Sequence, residues 1–145
     1  FPITDIRMTR FNLTLKESVE FVIFCLQRMW GGELFVPKIP SFKIIDLAKA
    51  ISLKPKIKII GIRPGEKLHE EMISETESLN TISYKNHFVI TPNSHYIRWD
   101  KKKYFKNFKK GKYCQNNFSY NSLKNPEYLS VQDLKIIIKK FLKII

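Results

Sequence analysis

The stretch "KIKIIGIRPGEKLHEEMI", Lys56 to Ile73, holds the step on which the fold reading turns. Lys and Ile alternate from Lys56 to Ile59 before a second Ile follows, as in a strand with one wet face near its end. Gly61 and the Pro64-Gly65 pair then break the run. "EKLHEEMI" reads as a short helix. A strand, a tight turn and a helix in succession are the unit from which α/β folds are built.

Working upstream, the same alternation continues. "PSFKIIDLAKAIS" reads as a helix with Ser41 as its N-cap and an inner face of Ile44 or Ile45, Leu47, Ala48 and Ile51. "ELFVP" is a short strand ended by Pro37. "TLKESVEFVIFCLQRMWGG" reads as a helix opened by Thr14 and Glu17, a capping-box spacing in which hydroxyl and carboxylate satisfy first-turn N–H groups. Leu15, Val19, Val22, Leu26 and Met29 recur at helical steps and predict its core-facing side. Gly31 and Gly32 are expected to end it. Residues 14 to 73 therefore run helix, strand, helix, strand, helix, an α/β order.

Downstream the pattern changes. "NTISYKNHFVI" reads as two short strands around a Lys-Asn turn, and residues 91 to 127 are polar, aromatic and basic with little periodicity. "LSVQDLKIIIKKFLKII" closes the chain as a helix favoured by Ser130 and Asp133. The division expected is an α/β portion over 1–92 and an irregular basic segment ending in a helix over 93–145.

Composition bounds the function. At 145 residues and 43% hydrophobic content, the chain is long enough to bury a core. Its apolar runs are shorter than the roughly 20 residues a bilayer requires. Cys25 and Cys114 share no metal or redox spacing, so a reducing, cytoplasmic compartment is expected. The abrupt start "FPITD" points to a natural N-terminus upstream.

The formal charge is +13. A basic chain can bind nucleic acid, and "KKKYFKNFKKGK" (Lys101 to Lys112) is the segment that would do so. Only five of the 26 cations are Arg, however. Lys is often a solvated charge, whereas Arg supplies forked contacts. No nucleic-acid or membrane partner is expected.

The chemical motifs are few. A Gly-rich cofactor loop is absent, since Gly31-Gly32 follow a helix rather than a strand. His69, His87 and His95 lack ligand spacing. Tyr120 and Lys124 have the four-residue separation of a dehydrogenase pair, but in an Asn- and Pro-rich loop where the match reads as accidental. Arg63, Glu66 and His69 are more informative. Arg63 leaves the end of a strand, where α/β sheets gather ligands, and a guanidinium there can fork onto phosphate. A carboxylate three residues on can accept from ribose hydroxyls. Spacing equally allows Arg63 to pair with Glu66 while Glu66 caps a helix. Arg7, Arg10 and Arg63 are three of the five arginines and all lie in loops, which favours the anion site.

The stretches "FPITDIRMTRF", "FVPKIPS" and "GIRPGEKLHEEMI", with the tail "FSYNSLKNPEYLSVQDLKIII", closely resemble the C-terminal half of the inverting UDP-N-acetylglucosamine 4,6-dehydratases. These are polysaccharide biosynthesis proteins of the extended short-chain dehydrogenase/reductase group, associated with pseudaminic acid and other surface sugars. The resemblance implies an incomplete Rossmann-type α/β fold, made of the substrate-binding lobe and the last core elements. It implies NADP bound by upstream residues, UDP-N-acetylglucosamine as substrate and a homo-oligomeric full-length enzyme. Arg10 and Arg63 match positions that clamp the diphosphate, and Glu66 a position that holds the ribose. The catalytic residues would lie upstream, leaving this chain inactive alone. A capsule-type UDP-N-acetylglucosamine 4-epimerase would use the same lobe. Asn12 and Tyr128 depart from the family's bulkier residues, which bears on packing.

Overall fold

The computed structural model describes residues 1–93, 99–108 and 110–142. His95, Lys109 and the last turn of the closing helix, read above from sequence, lie outside the described residues. In chain order the elements are β1 (Pro2–Ile3), β2 (Thr9–Phe11), α1 (Leu15–Leu26), β3 (Leu34–Pro37), β4 (Ser41–Lys43), α2 (Ile44–Ile51), β5 (Lys58–Ile59) and β6 (Glu71–Ile73). There follow α3 (Glu75–Ser78), β7 (Thr81–Ser83), β8 (His87–Ile90), α4 (Lys101–Asn107), β9 (Lys112–Tyr113), β10 (Tyr120–Asn121) and α5 (Val131–Leu142). The mixed α/β architecture expected of a partial short-chain dehydrogenase/reductase fold is borne out. Two compact units interleave along the chain: 1–12, 39–71 and 121–145 form one, and 13–38 with 72–120 form the other.

In the first unit β1 pairs in parallel with β5, and β2 pairs antiparallel with β4 so that Arg10 faces Phe42. α2 packs against α5, and Ile3, Met8, Ile39, Ala48 and Leu134 are buried. Ser130 and Asp133 close the start of α5 reciprocally, the Asp133 N–H donating to Ser130 Oγ at 3.2 Å and Ser130 Oγ to Asp133 Oδ2 at 2.6 Å.

Two local expectations fail here for one reason: the backbone or side-chain group required is already engaged. Ser41 is not the cap of α2. It lies in β4, fully buried, and its Oγ accepts from Asn125 Nδ2 at 2.9 Å, so α2 starts at Ile44 without a side-chain cap. "EKLHEEMI" is not a helix. Residues 66–70 are irregular and lead into β6. The carbonyls of Lys67 and Leu68, which a helix would turn inward, accept instead from Arg10, and Leu68 also accepts from the Thr9 N–H. Ile51, expected inside, is exposed.

The second unit is organised on an antiparallel sheet of order β3-β8-β7-β9. Lys85 and Asn86 make the β7–β8 turn, as the sequence predicts. Ile82, Val89 and Tyr104 form a buried cluster, with Phe35, Trp99, Phe105 and Phe108 packed on it. The basic segment is thus not irregular throughout. Lys101–Asn107 is helical because Asp100 caps it, accepting from the Lys103 N–H at 3.0 Å, while Tyr104 anchors it inside.

α1 has the predicted capping box but ends at Leu26, before the glycines. Gly31 and Gly32 serve the following turn, with φ of +100° and +89°. Its expected inner face is outward: Leu15, Val19, Val22 and Leu26 are 51–78% exposed. Phe21 and Phe24 pack inward instead, against the His87 ring.

Candidate substrate-binding site

The site builds from the turn after β5 in the first unit. Glu66 N–H donates to the Arg63 carbonyl at 3.0 Å, closing a four-residue turn over Pro64 and Gly65. Gly65 has φ of +79°. A fixed Pro at the second turn position and a left-handed residue at the third are what a type II turn requires, so glycine is needed there.

That turn folds Glu66 back onto Arg63. Glu66 Oε2 accepts from the Arg63 backbone N–H at 3.2 Å and lies 3.5 Å from Arg63 Nε. Thr4 Oγ1 donates to Glu66 Oε1 at 3.3 Å, and Arg10 Nη2 lies 4.0 Å from it. The Arg63 N–H, helped by its guanidinium and Thr4, holds the Glu66 carboxyl below the usual carboxylate range. Glu66 is therefore a fixed anion, whereas the Arg63 side chain is 75% exposed.

Arg10 is held differently. Nη1 donates to the carbonyls of Thr9 at 2.7 Å and Leu68 at 3.2 Å, Nη2 to that of Lys67 at 3.0 Å, and Nε lies 3.4 Å from Glu70 Oε1. The guanidinium spends most of its donors bracing the 67–70 segment. Arg7 turns outward onto Asp5, at 2.7 Å, and holds that carboxyl down to about 2.

A buried hydroxyl pair supports these residues from below. Thr9 Oγ1 lies 2.6 Å from Ser122 Oγ and 2.8 Å from His69 Nδ1, while Ser122 Oγ accepts from the Glu70 N–H at 2.9 Å. Tyr128 Oη donates to the Ser122 carbonyl at 2.5 Å. Arg10 and Arg63 thus both lie beside Glu66, and His69 joins the support. Thr4, Thr9 and Ser122 are additional members with no local signal, Ser122 being 113 residues from Thr9. Tyr120 and Lys124 lie on a strand and the turn after it, not on one helix face.

Among the described residues no group of three His, Cys, Asp or Glu could hold a metal ion, and no helix is long and apolar enough to cross a membrane. The glycines do not fit a dinucleotide cradle: Gly31-Gly32 lie between a helix end and a strand, the reverse of the strand-to-helix order that aims N–H groups at a pyrophosphate.

The profile of the family described as polysaccharide biosynthesis protein matches residues 1–92. A UDP-N-acetylglucosamine 4,6-dehydratase (inverting) of Campylobacter jejuni subsp. jejuni serotype O:2 is 46% identical over 138 residues, covering 94% of this chain and 41% of that protein. A UDP-glucose 4-epimerase of Rickettsia bellii is 37% identical over 92 residues, 61% of this chain and 27% of that protein. Among solved structures, Pen from Bacillus thuringiensis superposes with a TM-score of 0.77 at 26% identity, over 98% of this chain and 41% of that one. The chain spans about 41% of the length of the dehydratase it matches.

Proposed function

The chain belongs to the polysaccharide biosynthesis protein family, and we propose that it is the UDP-sugar-binding portion of an inverting UDP-N-acetylglucosamine 4,6-dehydratase. The observation that carries this is the Arg63–Glu66 turn. It presents an exposed guanidinium beside a carboxylate whose position is fixed by three groups. Arg63 would turn from Glu66 onto the diphosphate. Releasing a surface ion pair costs at most about 1 kcal/mol, while a forked contact to phosphate is stronger. Glu66 would accept from the ribose hydroxyls. Arg10 would set the height of the 67–70 segment under the diphosphate and add its positive field. The Campylobacter relative's name and its 46% identity support the substrate assignment.

NADP would accept and return the hydride of such a reaction. By resemblance to the inverting dehydratases, the cofactor loop and the acid–base residues would lie in polypeptide outside this chain, which would leave the chain alone inactive. The setting is surface-sugar biosynthesis of the pseudaminic acid type, in a cytoplasmic, homo-oligomeric enzyme. A UDP-sugar 4-epimerase is the second reading, supported by the Rickettsia relative. The two part on one assay. The intact polypeptide, incubated with NADP and UDP-N-acetylglucosamine, yields a 4-keto-6-deoxy sugar as a dehydratase. UDP-N-acetylgalactosamine as sole product would replace the first reading with the second.

A further inference from the structure

The second unit contains a cavity of about 410 Å³ that the substrate turn does not use. Its volume is within the range of small-molecule sites. Its lining is aromatic and cationic. Phe24, Phe35, Tyr84, His87, Tyr104 and Phe108 supply apolar ring surface, and the remaining lining residues are Arg28, Lys85 and Lys110 with the amides Asn86 and Asn107. No carboxylate lines it. The rings are partly or fully buried, while the two lysines and two asparagines are exposed. That places ring faces at depth and polar groups at the rim.

The walls are fixed. His87 stacks on Tyr84 with centroids 4.9 Å apart and planes 8° from parallel, and Phe24 meets His87 edge-on at 4.9 Å. Burial first, then Arg28 and Lys38, push the His87 imidazole down to about 4, so it is a neutral ring at physiological pH. Gly111 lets Tyr84 lie where it does: a Cβ there would be 2.7 Å from Tyr84 Cζ and 2.7 Å from Ile82 Cγ2. Tyr84 Oη is shut from solvent and has no hydrogen-bond partner among the described residues. Such a donor costs free energy unless it is satisfied. Arg28 lies with Cζ 3.9 Å over the Phe24 ring, and among the described residues it pairs with no carboxylate. Its guanidinium makes a long hydrogen bond to the Phe24 carbonyl, at 3.4 Å.

We propose that this cavity binds a planar aromatic anion of the nucleoside phosphate class, its base against the buried rings and its phosphate on Arg28, Lys85 and Lys110. Aromatic walls bind any base by its face, with affinity that does not depend on ring-edge pairing. Guanidinium and ammonium groups without carboxylate partners favour phosphate, and the two rim amides can meet the base edge or the sugar. All of its lining residues belong to the second unit, and none is a residue of the Arg63 turn.

The chain carries its own reporter. Its two tryptophans both touch the cavity wall, Trp30 lying 5.2 Å and Trp99 4.6 Å from the Tyr104 ring. Titrating the 145-residue chain with ADP, inorganic pyrophosphate and adenosine while reading tryptophan fluorescence tests the proposal. ADP gives a saturable change, with pyrophosphate and adenosine each about tenfold weaker or more. Arg28→Gln and Lys85→Glu each weaken ADP by about tenfold, and Gly111→Ala weakens it by displacing Tyr84, while a change at the exposed Lys124, Lys124→Glu, leaves it unchanged. Circular dichroism checks each fold. Should Arg28→Gln unfold, Lys85→Glu in the exposed turn decides alone. No saturable change up to millimolar ADP overturns the proposal. So does pyrophosphate binding as tightly as ADP, a Lys124→Glu loss equal to that of Lys85→Glu, or a single-stranded oligonucleotide competing far better than ADP.

Discussion

Arg63 Nε lies 3.5 Å from Glu66 Oε2, and the Arg63 backbone N–H donates to that same oxygen at 3.2 Å. The backbone contact is the one that fixes the carboxylate. The side-chain contact is long and exposed, and such a pair is worth little. The turn therefore holds one charge rigidly and leaves the other free to leave for a ligand. That asymmetry is the basis of the functional reading.

Arg10 is the opposite case, an arginine whose donors are engaged by carbonyls. Arg10→Ala strips partners from the carbonyls of Thr9, Leu68 and Lys67, and we expect it to destabilise the chain by about 1.5–3 kcal/mol. Arg10→Lys restores charge without the fork and recovers less than half. Urea denaturation reads both; a midpoint unmoved by Arg10→Ala would contradict the bracing role.

Ser122→Ala leaves Thr9 Oγ1 and the Glu70 N–H short of a partner in a buried place. The expected loss is about 1–3 kcal/mol. Thr9→Val with Ser122→Ala costs less than the sum of the single changes, because both remove one network. Strict additivity in a double-mutant cycle would show the two hydroxyls to be independent.

His87 gives the chain a pH dependence. Its folded pKa, about 4, is below the ordinary 6.5. As pH falls through 6.5 the unfolded chain binds the proton and the folded chain does not. Stability is full above pH 6.5 and is lost progressively down to about 4. His87→Phe removes that slope in the pH 6.5–4 interval while retaining ring packing. Equal slopes in thermal melts of both proteins would rule out His87 as the source.

The outward stripe of α1 predicts behaviour in solution. An exposed apolar face of this kind drives association. Val22→Glu with Leu26→Lys is expected to abolish concentration-dependent light scattering by the 145-residue chain without shifting its melting temperature, since both side chains are more than half exposed. Unaltered scattering would locate the association elsewhere.

These same residues show how far the sequence could be read. Thr14 with Glu17, Asp133 after Ser130 and the Lys85-Asn86 turn are local devices, complete within four residues, and each forms as read. The α1 periodicity identified an apolar face correctly but not its direction, because a period says nothing about what lies opposite, and the relatives are more than twice as long as this chain. The 66–73 helix failed through a long-range competitor: Arg10, more than fifty residues away, takes the carbonyls the helix needed. Ser122 was illegible for the same reason, its partner lying 113 residues off. Of the candidate site, type and spacing left Arg63 and Glu66 balanced between a local ion pair and a ligand site, and the clamp role of Arg10 came from the family resemblance. The division of labour between a free Arg63 and an engaged Arg10 is a property of the folded backbone.

The central claim is that Arg63 clamps the diphosphate of a UDP-sugar. Isothermal calorimetry of UDP-N-acetylglucosamine with the intact polypeptide, wild type against Arg63→Ala, tests it most directly. The account predicts a loss of about 1–3 kcal/mol in binding free energy, the scale of a charge-assisted hydrogen bond, with the melting temperature unchanged. An identical dissociation constant in the two proteins would contradict it.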